Sequence, residues 1–381
     1  MRNLAYATGL LLALATALPA YVSSTYLSDA AGENVVGSIY ALGAIITLVL
    51  LTLAPLLIRF FKLHRLMLIS GLLTAVSALV LAAKPSAFWI VITFALFYAL
   101  TIFLRLLSDF YLEETTDNKA TGTTRGLFLT LINLGWLASP LLAALLIENG
   151  GFRLLYIVAG LLFMPLGLFV MQYQSKAGIR KENVWHAFTN LWRAASSKRL
   201  NLRRILLVDL WLNIFYALMV VYMPIYLHQH VGLDWSAIGI IFTWMLLPFL
   251  LLDYVLGWLA DKKYGEKEIL LGGIIIAGVA TILVSTISAP VIWLWSALLF
   301  FTRVGAASIE VMKETYLFKK IDGDDLDILS LSRNLIPIAY LIGPLIAFVI
   351  LYFLPLPYIF TILGLSAFLL LPIVWQLADT K

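Results

Sequence analysis

The chain has 381 residues, 62% of them hydrophobic and 12% charged, with a formal net charge of +5 and no cysteine. Soluble domains carry roughly 25% charged residues, so the composition excludes an ordinary soluble domain and points to a membrane-embedded one. The lack of cysteine excludes disulfides, thiolate metal sites, iron–sulfur clusters and cysteine nucleophiles.

A membrane-crossing helix needs about 20 mostly apolar residues. Twelve such spans are expected, at 4–27, 35–58, 66–83, 87–112, 126–147, 154–172, 205–227, 236–259, 269–287, 290–312, 329–353 and 358–377. The first has features of a secretory signal: Arg2, an apolar run and then Ala17-Leu18-Pro19-Ala20. Its apolar run exceeds the about 7–15 residues of a signal, and a similar segment at 205–227 lies mid-chain, so it is read as a retained span.

Basic loops set orientation. With the N-terminus inside, the inner loops hold Arg59, Lys62, Arg65, Lys119, Lys262, Lys263, Lys267, Lys319 and Lys320, whereas the outer loops hold only Lys84 and Arg153. Both termini are therefore expected in the cytoplasm. The short loops favour a prokaryotic plasma membrane.

Within span four, Arg105 and Asp109 share a helix face at a spacing of four. Span ten carries Arg303, Glu310, Lys313 and Glu314, of which Arg303, Glu310 and Glu314 share a face. Charges inside a membrane are costly and by default functional. A carboxylate near an arginine can load and release protons as its burial changes. Glu310 is the first candidate for that role, with Arg303 beside it. Asp109 and Glu314 lie nearer the inner ends, where tying helix ends to basic loops is the plainer reading. Asp209 and Asp253 are read as gate residues or snorkelling charges.

Trp211, Asn213 and Tyr216 in span seven, Asn133 and Trp136 in span five, and Trp244 in span eight are candidates for a substrate cavity. Aromatic walls with a few polar groups suit organic ligands, although helix packing would use the same residues. His228 and His230 are too few for a metal site. No nucleotide loop, catalytic triad pattern or HExxH pattern is present, so neither a cofactor nor enzymatic chemistry is expected.

The loop 173–204 carries eight basic residues and one acid, Glu182. Val184, Trp185, Phe188, Leu191 and Trp192 fall on one helical face flanked by Lys181, Arg193, Lys198 and Arg199, the pattern of an interfacial helix. A nucleic-acid role for this run is the lesser reading.

The chain also repeats itself. Tyr26-Leu27 recurs as Tyr226-Leu227, Gly32 as Gly232, Tyr111-Leu112 as Tyr316-Leu317 and Pro140 as Pro344. Four matches in order at nearly one offset indicate a duplicated half. Doubled membrane proteins of this kind are typically secondary transporters with a site between the halves. On this alignment Arg105 corresponds to Glu310, and Asp109 to Glu314.

Gly257-Trp258-Leu259-Ala260-Asp261-Lys262-Lys263-Tyr264-Gly265-Glu266-Lys267, between spans eight and nine, resembles the cytoplasmic signature of the major facilitator superfamily. It departs by one extra residue between Asp261 and Gly265, and by Glu266 where a basic residue is usual. The first-half equivalent, 55–62, lacks both the Gly and the Asp. Span five, with Gly126, Gly135, Ser139-Pro140 and Ala143-Ala144, is similar to that family's antiporter signature, with small residues replacing some glycines.

The resemblance implies that spans one, four, seven and ten line a central cavity. It also implies a cytoplasmic gate at Gly257, Asp261, Lys262 and Gly265, with Arg125 facing Asp261 and Arg333 as its counterpart. At Gly257 the small residue would admit a neighbouring helix.

The expected fold is an all-α membrane protein of twelve transmembrane helices in two six-helix bundles, 1–172 and 205–381, joined by the basic linker 173–204. The expected function is secondary transport of a small organic solute, exported in exchange for protons, by a monomer in the lipid bilayer. Proton-coupled uptake of a sugar or other nutrient, and lipid transport, are the alternatives.

Overall fold

The computed structural model describes residues 2–115, 121–171, 197–320 and 326–378. Among them all regular structure is helical, and eleven stretches are long and apolar enough to cross a membrane. One of the eleven, Thr130–Pro165, leaves helical geometry at Gly150 and Gly151, which makes it two spans and brings the total to the twelve expected.

The elements differ from expectation in four places, one of them span twelve, which is two helices, Pro357–Phe368 and Leu371–Trp375. Span one is two helices, Arg2–Ala20 and Ser23–Ala31. Between them the Pro19 carbonyl accepts the Val22 N–H at 3.1 Å and the Ser23 hydroxyl at 2.7 Å. Span seven begins early, in a helix Ser197–Ile225, so the last eight residues of the expected linker are helical. The linker's aromatic face lies outside the described residues. Span eight breaks at Leu252 into Trp235–Leu251 and Asp253–Leu259. The Leu252 N–H still bonds the Pro248 carbonyl at 2.9 Å, and the Leu256 N–H bonds the Leu252 carbonyl at 2.8 Å, so the chain resumes as a helix directly after the break.

Two compact units divide the chain: Met1–Arg180 with Leu233–Thr243, and Lys181–Gly232 with Trp244–Lys381. In the first, small residues let helices touch backbone to backbone. A Cβ added to Gly135 would sit 3.1 Å from Ala13, and one added to Gly239 would sit 2.7 Å from Ala144 and 3.0 Å from the Pro140 carbonyl. In the second unit the same device ties spans nine, ten and twelve. A Cβ at Gly305 would lie 2.4 Å from the Ala277 nitrogen, and one at Gly364 would lie 2.7 Å from the Gly278 carbonyl. Such close approach is how helices associate where lipid removes the hydrophobic drive.

Equivalent tyrosines hold equivalent corners of the two units. Tyr26 donates its hydroxyl to the Leu81 carbonyl at 2.8 Å, and Tyr226 donates to the Ile287 carbonyl at 3.1 Å. Tyr26 packs on Tyr156, with ring centroids 5.2 Å apart, and Tyr226 packs on Phe360 at 5.5 Å. Gly32 and Gly232 follow with φ of 91° and 80°.

Each unit exposes large aromatics near its helix ends: Phe60, Phe61, Phe88 and Trp89 in the first, and Tyr254, Trp258, Trp293, Tyr352, Phe353 and Trp375 in the second. These positions suit the two membrane–water interfaces.

Candidate functional site

The charged residues of the second unit gather around span ten, the helix Ile292–Lys320. At this end of the unit Asp209 is buried and saturated with donors. Lys313 reaches its Oδ1 at 2.6 Å, Asn213 Nδ2 donates to the same oxygen at 2.8 Å, and the Ser332 hydroxyl donates to Oδ2. One carboxylate thus joins spans seven, ten and eleven. Burial of the pair, at 12% and 4% side-chain exposure, rules out the expected snorkelling role for Asp209. A small pocket beside the pair is lined by Ile205, Leu206, Asp209, Lys313, Glu314 and Leu317.

One turn away, Glu310 is half-buried and its Oε2 accepts the Tyr216 hydroxyl at 2.6 Å. Lys313 and Asp253 both lie within electrostatic reach of Glu310 and Glu314. The Tyr216 ring carries a second charge on its face. The Arg303 guanidinium carbon lies 5.5 Å from the Tyr216 centroid and 5.2 Å from that of Phe215. Arg303 and Glu310, seven residues apart, form no direct ion pair; Tyr216 stands between them, touching one with its face and the other with its hydroxyl.

The remaining candidates are spread out. Trp211 turns to span twelve, where its indole N–H donates to Ser366 at 2.9 Å, and it stacks on Phe215. These contacts pack it against span twelve and its own helix. Trp244 is exposed. Asn213 serves Asp209. In the first unit Arg105, Asp109 and Asn133 are exposed, and Trp136 is half-buried against the edge of Tyr21 at 6.2 Å.

At the signature segment, residues Ala260–Tyr264 form a wide turn closed by the Gly265 N–H on the Ala260 carbonyl at 3.0 Å. That i→i+5 closure absorbs the extra residue noted in the sequence. Glu266 is buried and paired with Lys319 of span ten, which accounts for an acid at a usually basic position. Lys262 is exposed. A Cβ built at Gly257 meets nothing within 4 Å among the described residues, so the close approach expected there is absent. The side chains of Asp261, Arg125 and Arg333 lie outside the described residues.

Lys313, Ser332 and Glu266 were not singled out as site residues from sequence. Lys313 carried a signal, a charge at the inner end of span ten; Ser332 carried none.

Comparison with known proteins agrees with this architecture. The family model of the Major Facilitator Superfamily matches residues 5–309 and 221–381. No curated protein sequence matches significantly. Among solved structures, the in meso crystal structure of the POT family transporter PepTSo superposes with a TM-score of 0.78 at 12% identity, over 99% of this chain and 97% of that one. At that identity the likeness shows the fold alone. Taken with the twelve spans, the family match establishes that this chain belongs to the major facilitator superfamily of secondary transporters.

Proposed function

We propose that this protein moves a small organic solute across the membrane by alternating access, coupled to protons through Glu310. The observation that carries the reading is the Tyr216–Glu310 hydrogen bond inside span ten's charged cluster. An ionised Glu310 only accepts, and its bond from Tyr216 is charge-assisted, whereas a protonated one gains a donor and holds Tyr216 more weakly. Taking up a proton therefore loosens the contact between spans seven and ten, which is how a titration becomes a movement.

The two halves, 1–172 and 205–381, rock about a midplane site, with 173–204 as the joining linker. Gly257, Asp261, Lys262 and Gly265, with Arg125 and Arg333, serve as the cytoplasmic gate. Export in exchange for protons is the leading direction, supported by small-residue packing of span five around Gly135, Pro140 and Ala144. Proton-coupled uptake is the second reading. It is favoured by the buried cation at Arg303, which has no ion-pair partner among the described residues and suits an acidic nutrient. The protein works as a monomer in a plasma membrane with both termini in the cytoplasm.

The test is solute-driven proton movement in proteoliposomes with a panel of drugs, sugars and organic acids, for wild type and Glu310→Gln. Proton flux with a solute in wild type, lost in the variant, is the expected result. Solute movement without proton flux, or normal coupling in Glu310→Gln, overturns the coupling role. The direction of proton flow relative to the solute separates exchange from cotransport.

A further inference from the structure

We infer that Arg303 is the docking point for an anionic group, a carboxylate, phosphate or sulfonate, on the transported solute. The inference rests on the transport reading above and names the class of solute.

Arg303 lies eleven residues into the 29-residue helix Ile292–Lys320. At 1.5 Å per residue this is about 16 Å from the helix start, near the middle of a hydrocarbon core of about 30 Å. Substrate sites of doubled transporters lie at that depth. The residue is only 2% exposed. A guanidinium carries five N–H donors in a planar fork that matches a carboxylate or phosphate. Nη1 is buried with no hydrogen-bond partner, and no carboxylate pairs with Arg303, among the described residues.

The rings of Phe215 and Tyr216 give the cation attraction at its faces. They leave its N–H edge unmatched. A charge buried in this way is unfavourable until a partner arrives. Of the cluster's acids, Asp209 is engaged by Lys313, Asn213 and Ser332, Glu310 is engaged by Tyr216, and neither Glu314 nor Asp253 pairs with Arg303 among the described residues. The missing partner is therefore an oxyanion from outside the chain, admitted when spans seven and ten part.

Glu310 stands two helical turns away and repels that anion when ionised. Protonation of Glu310 strengthens anion binding, and the two loads favour each other. Such a solute moves with the proton, which is the cotransport reading given second above rather than exchange.

The test is thermal-shift and equilibrium binding on the purified full chain in detergent. The probes are benzoate, succinate, inorganic phosphate and a short-chain phosphatidic acid, with choline and glucose as controls. The expected result is saturable stabilisation by at least one soluble anion, growing stronger as pH falls. Arg303→Gln and Arg303→Met weaken it at least about tenfold, the loss of a charge-assisted hydrogen bond. Without ligand, Arg303→Met melts at or above wild type, since an unmatched charge is gone; Glu310→Gln binds the anion at least as tightly as wild type.

Binding that survives in Arg303→Gln, preference for choline or glucose, or binding of the phosphatidic acid alone overturns the inference. So does a large drop in melting temperature of ligand-free Arg303→Met, which marks a purely structural arginine. Failure of the transport reading registers separately, as solute movement without protons in liposomes while anion binding to Arg303 persists.

Discussion

Asp209 takes donors from three helices, and that saturation makes its partner difficult to remove alone. Lys313→Met leaves Asp209 ionised and without its counter-charge in a buried site, which is expected to cost about 3–5 kcal/mol. Asp209→Asn strands the lysine in the same way. The double variant restores most of the loss, because removing both charges of a buried pair is close to neutral. Thermal unfolding of the four purified proteins reads the cycle; additive losses would show that the pair is not coupled. None of this pairing was legible from spacing along span ten. Arg303, Glu310 and Glu314 share a face, yet each meets a different environment, because the rotation of spans seven and eleven against that face decides which partner arrives. Trp211 shows the same limit: its polar tip meets Ser366 on span twelve, and nothing within span seven records that.

At the level of elements, the tight corners between spans share one backbone geometry. Gly32, Gly151, Gly232 and Gly265 all have positive φ, and so does Lys62, with φ 59° and ψ 148° between spans two and three. That region is essentially reserved for glycine. Lys62→Gly is expected to stabilise the protein by about 1 kcal/mol, seen as a higher melting temperature; a fall would mean that the lysine side chain supplies an offsetting contact. Gly305 fails in the opposite sense. A Cβ there would press on the Ala277 backbone, which has no flexible end to move aside. Gly305→Ala is expected to lose about 1–3 kcal/mol and to loosen the contact between spans nine and ten. Helix existence was readable because runs of about 20 apolar residues leave few alternatives. Breaks such as the one at Leu252 were not, since Leu252, where the helix breaks, is as apolar as the run that leads into it.

For the whole molecule, duplication was the strongest signal in the sequence, and the structure gives it a physical meaning. Tyr26 and Tyr226 recur because each closes its unit by bonding a carbonyl at the end of the third helix of its half. Charge asymmetry between loops is the other long-range signal. It predicts that reporters fused after residue 381 and at the N-terminus both report a cytoplasmic location. A reporter active only outside the cell, at either end, would invert the topology and exchange the inner and outer roles assigned to the gate. Loop charge reports such large-scale features well because it acts on many residues at once. It says nothing of single contacts such as Glu266 with Lys319, where an acid in a basic loop finds its cation on a distant helix.

The wide turn at Ala260–Tyr264 has a consequence for tolerance to change in length. Its first-half counterpart closes in the ordinary way, the Lys62 N–H on the Ile58 carbonyl at 3.0 Å, one residue fewer than Ala260 to Gly265. Both halves then start their third helix from a corner of the same shape. A residue gained or lost within a span rotates everything beyond it by about 100° and carries its packed stripe into lipid. At the wide turn the same change alters only the circumference of one loop, so the phase of span nine is insulated from it. Deleting Lys263 should be borne there, whereas deleting Ile274, eleven residues later, should not.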